Sequence, residues 1–163
     1  MTPDPFVGGA VVERTYVATL AEVWALWTTA DGFASWWGPD GFRVEVHELD
    51  ARVGGRLAYD MIAARPDTIA AMKAMGEATR HGTHGTFTVV EPHRLLRITH
   101  VIDFLAGVAP YDNHMQVELV AQGPNVRMTV RISPHLDPKF TEMSVQGFES
   151  QLGKLEPRFT RVA

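Results

Sequence analysis

The chain contains no cysteine, which removes disulfides, thiolate nucleophiles and thiolate metal ligands at one stroke. A cysteine-free chain fits a reducing compartment, and a cytoplasmic location is expected. Basic runs are also missing: 15 Lys plus Arg stand against 19 Asp plus Glu, a net charge of −4. A mildly acidic chain without a basic stripe is a poor match to a phosphate backbone, so no nucleic-acid partner is expected. The longest apolar runs are far too short to span a bilayer, and Met1-Thr2-Pro3-Asp4-Pro5 lacks the basic flank and apolar stretch of a signal peptide. Gly8-Gly9 and Gly54-Gly55 do not open helices, so neither forms a phosphate-cradling loop or a dinucleotide fingerprint, and no Gly-x-Ser-x-Gly elbow occurs. No cofactor is expected. Internal repeats and low-complexity segments are absent.

What is present is one domain's worth of core. At 163 residues, 45% of them hydrophobic, the chain can bury a core without metal or disulfide. A single domain over residues 1–163 is expected, with its core at about 10–160. All four tryptophans fall in the first quarter, at 24, 27, 36 and 37. Residues 10–18 are rich in β-branched side chains and predict a strand. Thr19 is placed to cap a helix over 20–28 that carries Leu20, Val23 and Trp27 at helical spacing. A second short helix over 31–36 ends at Gly38-Pro39. The period then changes from helical to two: Phe42, Val44 and Val46 alternate with polar residues, Gly54-Gly55 turns the chain, and Leu57, Tyr59 and Met61 alternate again, which predicts a hairpin. Further strands are predicted at 85–90, 95–102, 114–120 and 126–132, paired antiparallel through short turns. From Pro138 the period is helical once more, with Phe140, Ser144, Phe148, Leu152, Leu155 and Phe159 on one stripe, so one helix over 138–159 should lie on the apolar face of the sheet. Residues 62–82 interrupt the strands. Ile69, Met72 and Met75 lie there at helical spacing, which suits a surface helix, a lid or a homodimer contact.

Trp36-Trp37-Gly38-Pro39, followed by Asp50-Ala51-Arg52-Val53-Gly54-Gly55, resembles the family named for the activator homologue of the heat-shock-protein-90 ATPase. That family lies within the START-like, helix-grip superfamily of polyketide cyclases, lipid-transfer domains and a birch-pollen allergen. The likeness runs from about Val11 to Phe159 and includes Phe148-Glu149-Ser150-Gln151-Leu152. The insertion, Ile102-Asp103-Phe104 and Pro110-Tyr111-Asp112 look like a bacterial branch, without the cochaperone's separate amino-terminal domain. The resemblance implies an α+β helix-grip fold: a curved antiparallel sheet wrapped around a long C-terminal helix, with two short helices after the first strand. It also implies a cavity between sheet and helix, but not one ligand or one reaction.

Strand phase then supplies a cavity list. With the apolar set inward, Tyr59 and Met61, Phe87 and Val89, Leu96 and Ile98, Met115 and Val117, and Met128 and Val130 face the helix. His100 continues the Leu96, Ile98 phase. It and Tyr59 are the polar tips that would serve as acid, base or anchor, or would satisfy a backbone carbonyl or each other. From the helices and the turn, Trp37, Met143, Gly147, Phe148 and Gln151 complete the expected cavity residues. Gly147 is costly in mid-helix, so its space belongs either to the cavity or to the close approach of another backbone. Arg14 shares a face with Val12 and Tyr16, but Val11 and Val17 are equally apolar, so its direction stays open between a cavity carboxylate anchor, an ion pair and solvent. Asp50 and Arg52 should fix the Gly54-Gly55 turn, and Asp103 and Asp112 should cap loops. His81 and His84 lack a third ligand at defined spacing, and no metal site is expected. Three functions remain open. They are a binder of a small apolar or amphipathic molecule, an enzyme of cyclase, dehydratase or hydrolase type using His100 and Tyr59, and a protein-interaction module.

Overall fold

The computed structural model describes residues 4–103, 105 and 107–159; residues 1–3, 104, 106 and 160–163 lie outside it. Seven antiparallel strands form one sheet in the order β1 (Ala10–Tyr16), β7 (Asn125–Ile132), β6 (Tyr111–Gln122), β5 (Leu95–Ile102), β4 (Arg80–Glu91), β3 (Arg56–Ala63), β2 (Phe42–Leu49). β1 and β2 are therefore opposite edges, and α1 (Leu20–Thr28) and α2 (Ala30–Ala34) carry the chain from one edge to the other. Thr19 starts α1 with a capping box. Its Oγ1 accepts from the Glu22 N–H at 3.1 Å, and Glu22 Oε1 accepts from the Thr19 N–H at 2.9 Å. α1 buries Val23, Leu26 and Trp27, and α2 buries Phe33.

Two irregularities move the sequence-derived phase. A bulge between Phe87 and Val89 puts Val89 opposite Arg97 and Val90 opposite the buried Leu96. Val90, not Val89, packs on the core, because one extra residue in a strand reverses every side chain beyond it. The expected single helix over 138–159 is two: α4 (Pro138–Leu152) and α5 (Glu156–Phe159), joined by a tight turn. Gly153, Lys154 and Leu155 donate to the carbonyls three residues back, at 3.2, 3.1 and 2.9 Å. Pro157 has no N–H to return to Gly153, so the α-ladder cannot continue. The apolar stripe survives the break: Phe148, Leu152 and Leu155 are buried, and Phe159 meets Tyr16 at 5.3 Å between ring centroids.

The interruption is shorter than 62–82, since β3 runs to Ala63 and β4 starts at Arg80. It contains α3 (Pro66–Ala74), a surface helix with no buried residue. Arg65 anchors its start through ion pairs to Asp40 at 2.8 Å and Asp67 at 3.0 Å. Arg14 lies on the helix side of β1, where it reaches Glu149 of α4 at 3.8 Å. Among the described residues, no helix is long and apolar enough to cross a membrane.

Gly147 is neither sealed by backbone nor part of the cavity wall. A Cβ there would meet only the Pro39 ring, at 4.0 Å. Gly147→Ala should therefore stabilise the protein by about 0.5–1 kcal/mol through helix propensity. A lower urea midpoint for this variant would show that the space beside Pro39 is needed.

Candidate functional site

The site begins at the tryptophan turn. Trp36 is fully buried and donates its Nε1–H to the Leu26 carbonyl at 2.9 Å. Trp37 stacks on Phe33 with ring centroids 4.5 Å apart. Gly38 has φ +99°, a conformation that side-chain-bearing residues rarely adopt. α4 and the turn after it clamp this short stretch. Gln151 Oε1 accepts from the Gly38 N–H at 3.0 Å, Lys154 Nζ donates to the Gly38 and Phe42 carbonyls at 2.7 and 3.0 Å, and Ser150 Oγ accepts from the Asp40 N–H at 2.9 Å. Burial lowers the Lys154 pKa, and the two carbonyls supply part of the solvation that its ammonium gives up. Gln151 thus holds the turn that aims Trp37.

Beyond Trp37 lies a cavity of about 290 Å³ between the sheet and α4. Tyr59 and Met61 of β3, His81 and Thr83 of β4, His100 and Ile102 of β5, and Asn113 and Met115 of β6 form its sheet wall. Phe140, Met143 and Ser144 of α4 face them, with Trp37, Leu105 and His135 completing the lining. Among the described residues, the lining contains no lysine, arginine, aspartate or glutamate.

A chain of polar groups crosses the wall. Trp37 Nε1–H donates to the Tyr59 hydroxyl at 3.0 Å, and that hydroxyl lies 3.4 Å from His100 Nε2. An indole can only donate, so the Tyr59 oxygen accepts from Trp37, and its own hydrogen is left for a second partner, for which His100 Nε2 is in reach. When Tyr59 O–H donates there, Nε2 is the acceptor of a neutral imidazole and the ring proton sits on Nδ1. Burial, with a smaller push from His84, lowers the His100 pKa to about 4. Burial also raises the Tyr59 pKa and lowers those of His81 and His135. Every titratable group in the lining is therefore uncharged near neutral pH. Gly85 is the inward residue of β4 opposite His100, and a Cβ there would stand 2.5 Å from the Thr99 carbonyl oxygen.

Of the residues expected from the sequence, Trp37, Tyr59, Met61, His100, Met115 and Met143 come together in this lining. Phe87, Ile98, Val117 and Phe148 lie in the hydrophobic core and not in the wall, while Gly147 faces Pro39 and Gln151 serves the turn. Asp50 accepts from Arg52 Nε at 2.8 Å beside the Gly54-Gly55 turn. Asp103 lies 4.0 Å from His84. Among the described residues no three candidate metal ligands cluster. His81, Thr83, Asn113 and His135 were not anticipated. Phase could have found two of them, since Thr83 precedes the inward Gly85 and Phe87 by even steps and Asn113 does the same for Met115 and Val117.

A search of curated proteins finds no match. Among solved structures, a protein of Chromobacterium violaceum superposes with TM-score 0.70 at 20% identity, covering 94% of this chain and 97% of the other. The AHSA1 protein of Silicibacter pomeroyi gives 0.72 at 20% identity, covering 91% and 95%. An Arthrobacter aurescens protein gives 0.71 at 22% identity, covering 93% and 86%. At such identities the likeness concerns the fold alone. The sequence profile described as "Activator of Hsp90 ATPase homolog 1-like protein" matches residues 17–160, nearly the whole domain, and the chain belongs to that family.

Proposed function

We propose that the protein binds one small, mostly apolar molecule in the cavity between sheet and α4. The observation that carries this reading is the cavity itself. It is apolar over most of its wall, has a few convergent polar groups, and lies near the lower end of the roughly 300–1,000 Å³ range of small-molecule sites. The same geometry gives less support to an enzyme of cyclase, dehydratase or hydrolase type. A general base must offer a lone pair to the substrate, and with Tyr59 O–H donating to Nε2, His100 turns a proton, not a lone pair, away from Tyr59. Among the described residues, the lining offers neither carboxylate nor ammonium to share the work.

Aminoanthracene, a neutral fluorescent probe of matching bulk, should bind saturably at one equivalent and quench tryptophan emission through Trp37. Ser144 is half-buried in the lining, and Ser144→Phe should fill the cavity and weaken the probe by about tenfold or more while the protein stays folded. Non-saturable probe uptake, or equal affinity in the folded variant, would remove the cavity as the binding site.

A further inference from the structure

Two unspent hydrogen-bonding groups stand side by side in the wall. His100 and Asn113 are direct partners across β5 and β6, which sets their Cβ atoms about 4.5–5.5 Å apart. Both are buried and both line the cavity. Asn113 Nδ2 donates to the Ser133 carbonyl at 3.0 Å. A carbonyl can only accept, so this contact fixes the amide and leaves Oδ1 as the free end. On His100, Nε2 faces Tyr59, and with Tyr59 O–H as the donor to it Nδ1 carries the proton. Among the described residues, neither Nδ1 nor Oδ1 has a hydrogen-bond partner. The polar side-chain atoms that are both sealed from solvent and unpartnered are Tyr16 OH, Trp27 Nε1, Arg127 Nε and Gln151 Nε2. His100 Nδ1 and Asn113 Oδ1 are not among them, which fits atoms that open onto the cavity their residues line.

A donor beside an acceptor is the complement of a hydroxyl. We propose that this corner holds the hydroxyl group of an uncharged ligand, a phenol or an alcohol on an apolar body, which accepts from His100 Nδ1–H and donates to Asn113 Oδ1. Thr83, also in the lining, adds a hydroxyl that can turn either way. A hydrocarbon would leave both protein groups unpaired in a desolvated place, which is the costly case. A carboxylate would meet Asn113 Oδ1 as a second acceptor and find no cation in the lining. This assignment rests on the cavity being the binding site, and its test separates the two.

The test is displacement of aminoanthracene from the whole protein at neutral pH by naphthol, methylnaphthalene and naphthoate substituted at the same ring position. Naphthol should displace the probe at concentrations lower by about fivefold than methylnaphthalene, although the latter is more hydrophobic, and by about tenfold or more than naphthoate. In His100→Leu the advantage of naphthol over methylnaphthalene should shrink to about twofold or less. Naphthoate binding as tightly as naphthol, or methylnaphthalene matching it in the native protein, would overturn the hydroxyl assignment while the cavity reading stands. Failure of aminoanthracene and of all three compounds to bind would overturn both. The panel on the native protein decides by itself if His100→Leu does not fold.

Discussion

Trp37→Ala should lower stability by about 3–5 kcal/mol, read as a shift of the urea midpoint at unchanged slope. The indole is 6% exposed. It packs among Phe33, Trp27, Trp36 and Phe148, with ring centroids 4.5, 5.5, 5.2 and 6.2 Å away. Few of these neighbours can move into the space it leaves, because they are braced by the same cluster. The loss therefore combines transfer of a large apolar group with an unfilled void. Trp37→Phe separates packing from polarity. It keeps an aromatic ring against Phe33 but removes the Nε1–H that Tyr59 accepts, and it should cost less, about 1–3 kcal/mol. It should also free the Tyr59 oxygen from its fixed role and so relax the choice of His100 tautomer. An unchanged midpoint in the alanine variant would contradict the place of Trp37 in the core.

The contrast between Trp37 and Gln151 shows which parts of the site the sequence could reveal. Buried aromatic bulk has a signal in composition and period, and so do the Thr19 cap, the β2–β3 hairpin and the α4 stripe, each of which follows a local rule. Gln151 sits on the same helix row as Met143 and Gly147, and that row suggested a cavity. Its contact with the Gly38 N–H spans more than a hundred residues of chain, and no local pattern encodes it. The first half of β4 was hidden for another reason. Arg80-His81-Gly82-Thr83-His84-Gly85 has no apolar alternation, because its inward positions face a polar corner and a close backbone rather than the hydrophobic core. The bulge after Phe87 is likewise silent in sequence, since Val89 and Val90 are equally good strand residues and only pairing with Leu96 selects between them. The fold was thus legible where burial is apolar, and the site was hidden where burial is polar.

Gly85→Val should be the most damaging glycine substitution in β4, and it tests whether the polar corner depends on the closeness of two strands. Gly85 lies on the inward face between Leu57 of β3 and His100 of β5. A Cβ there would stand 2.5 Å from the Thr99 carbonyl oxygen and 3.1 Å from His100 Cα. Those are backbone atoms held in a ladder, so relief requires β4 and β5 to separate, and overpacking of this kind costs about 1–3 kcal/mol or more. Separation would also carry His100 away from Tyr59, whose hydroxyl is already 3.4 Å from Nε2. The variant should therefore melt lower and bind aminoanthracene more weakly, and any naphthol preference that remains should be reduced. Gly82 is the internal control: it is exposed on the same strand, and a Cβ there would meet only Asp60 Oδ1 at 3.4 Å. Gly82→Ala should leave the melting temperature and probe affinity nearly unchanged, or raise the former slightly by restricting the unfolded chain. If Gly85→Val melts with the native protein, the strands have slack that the geometry denies. If it melts lower yet keeps full naphthol selectivity, the polar corner does not depend on the absence of a side chain at residue 85.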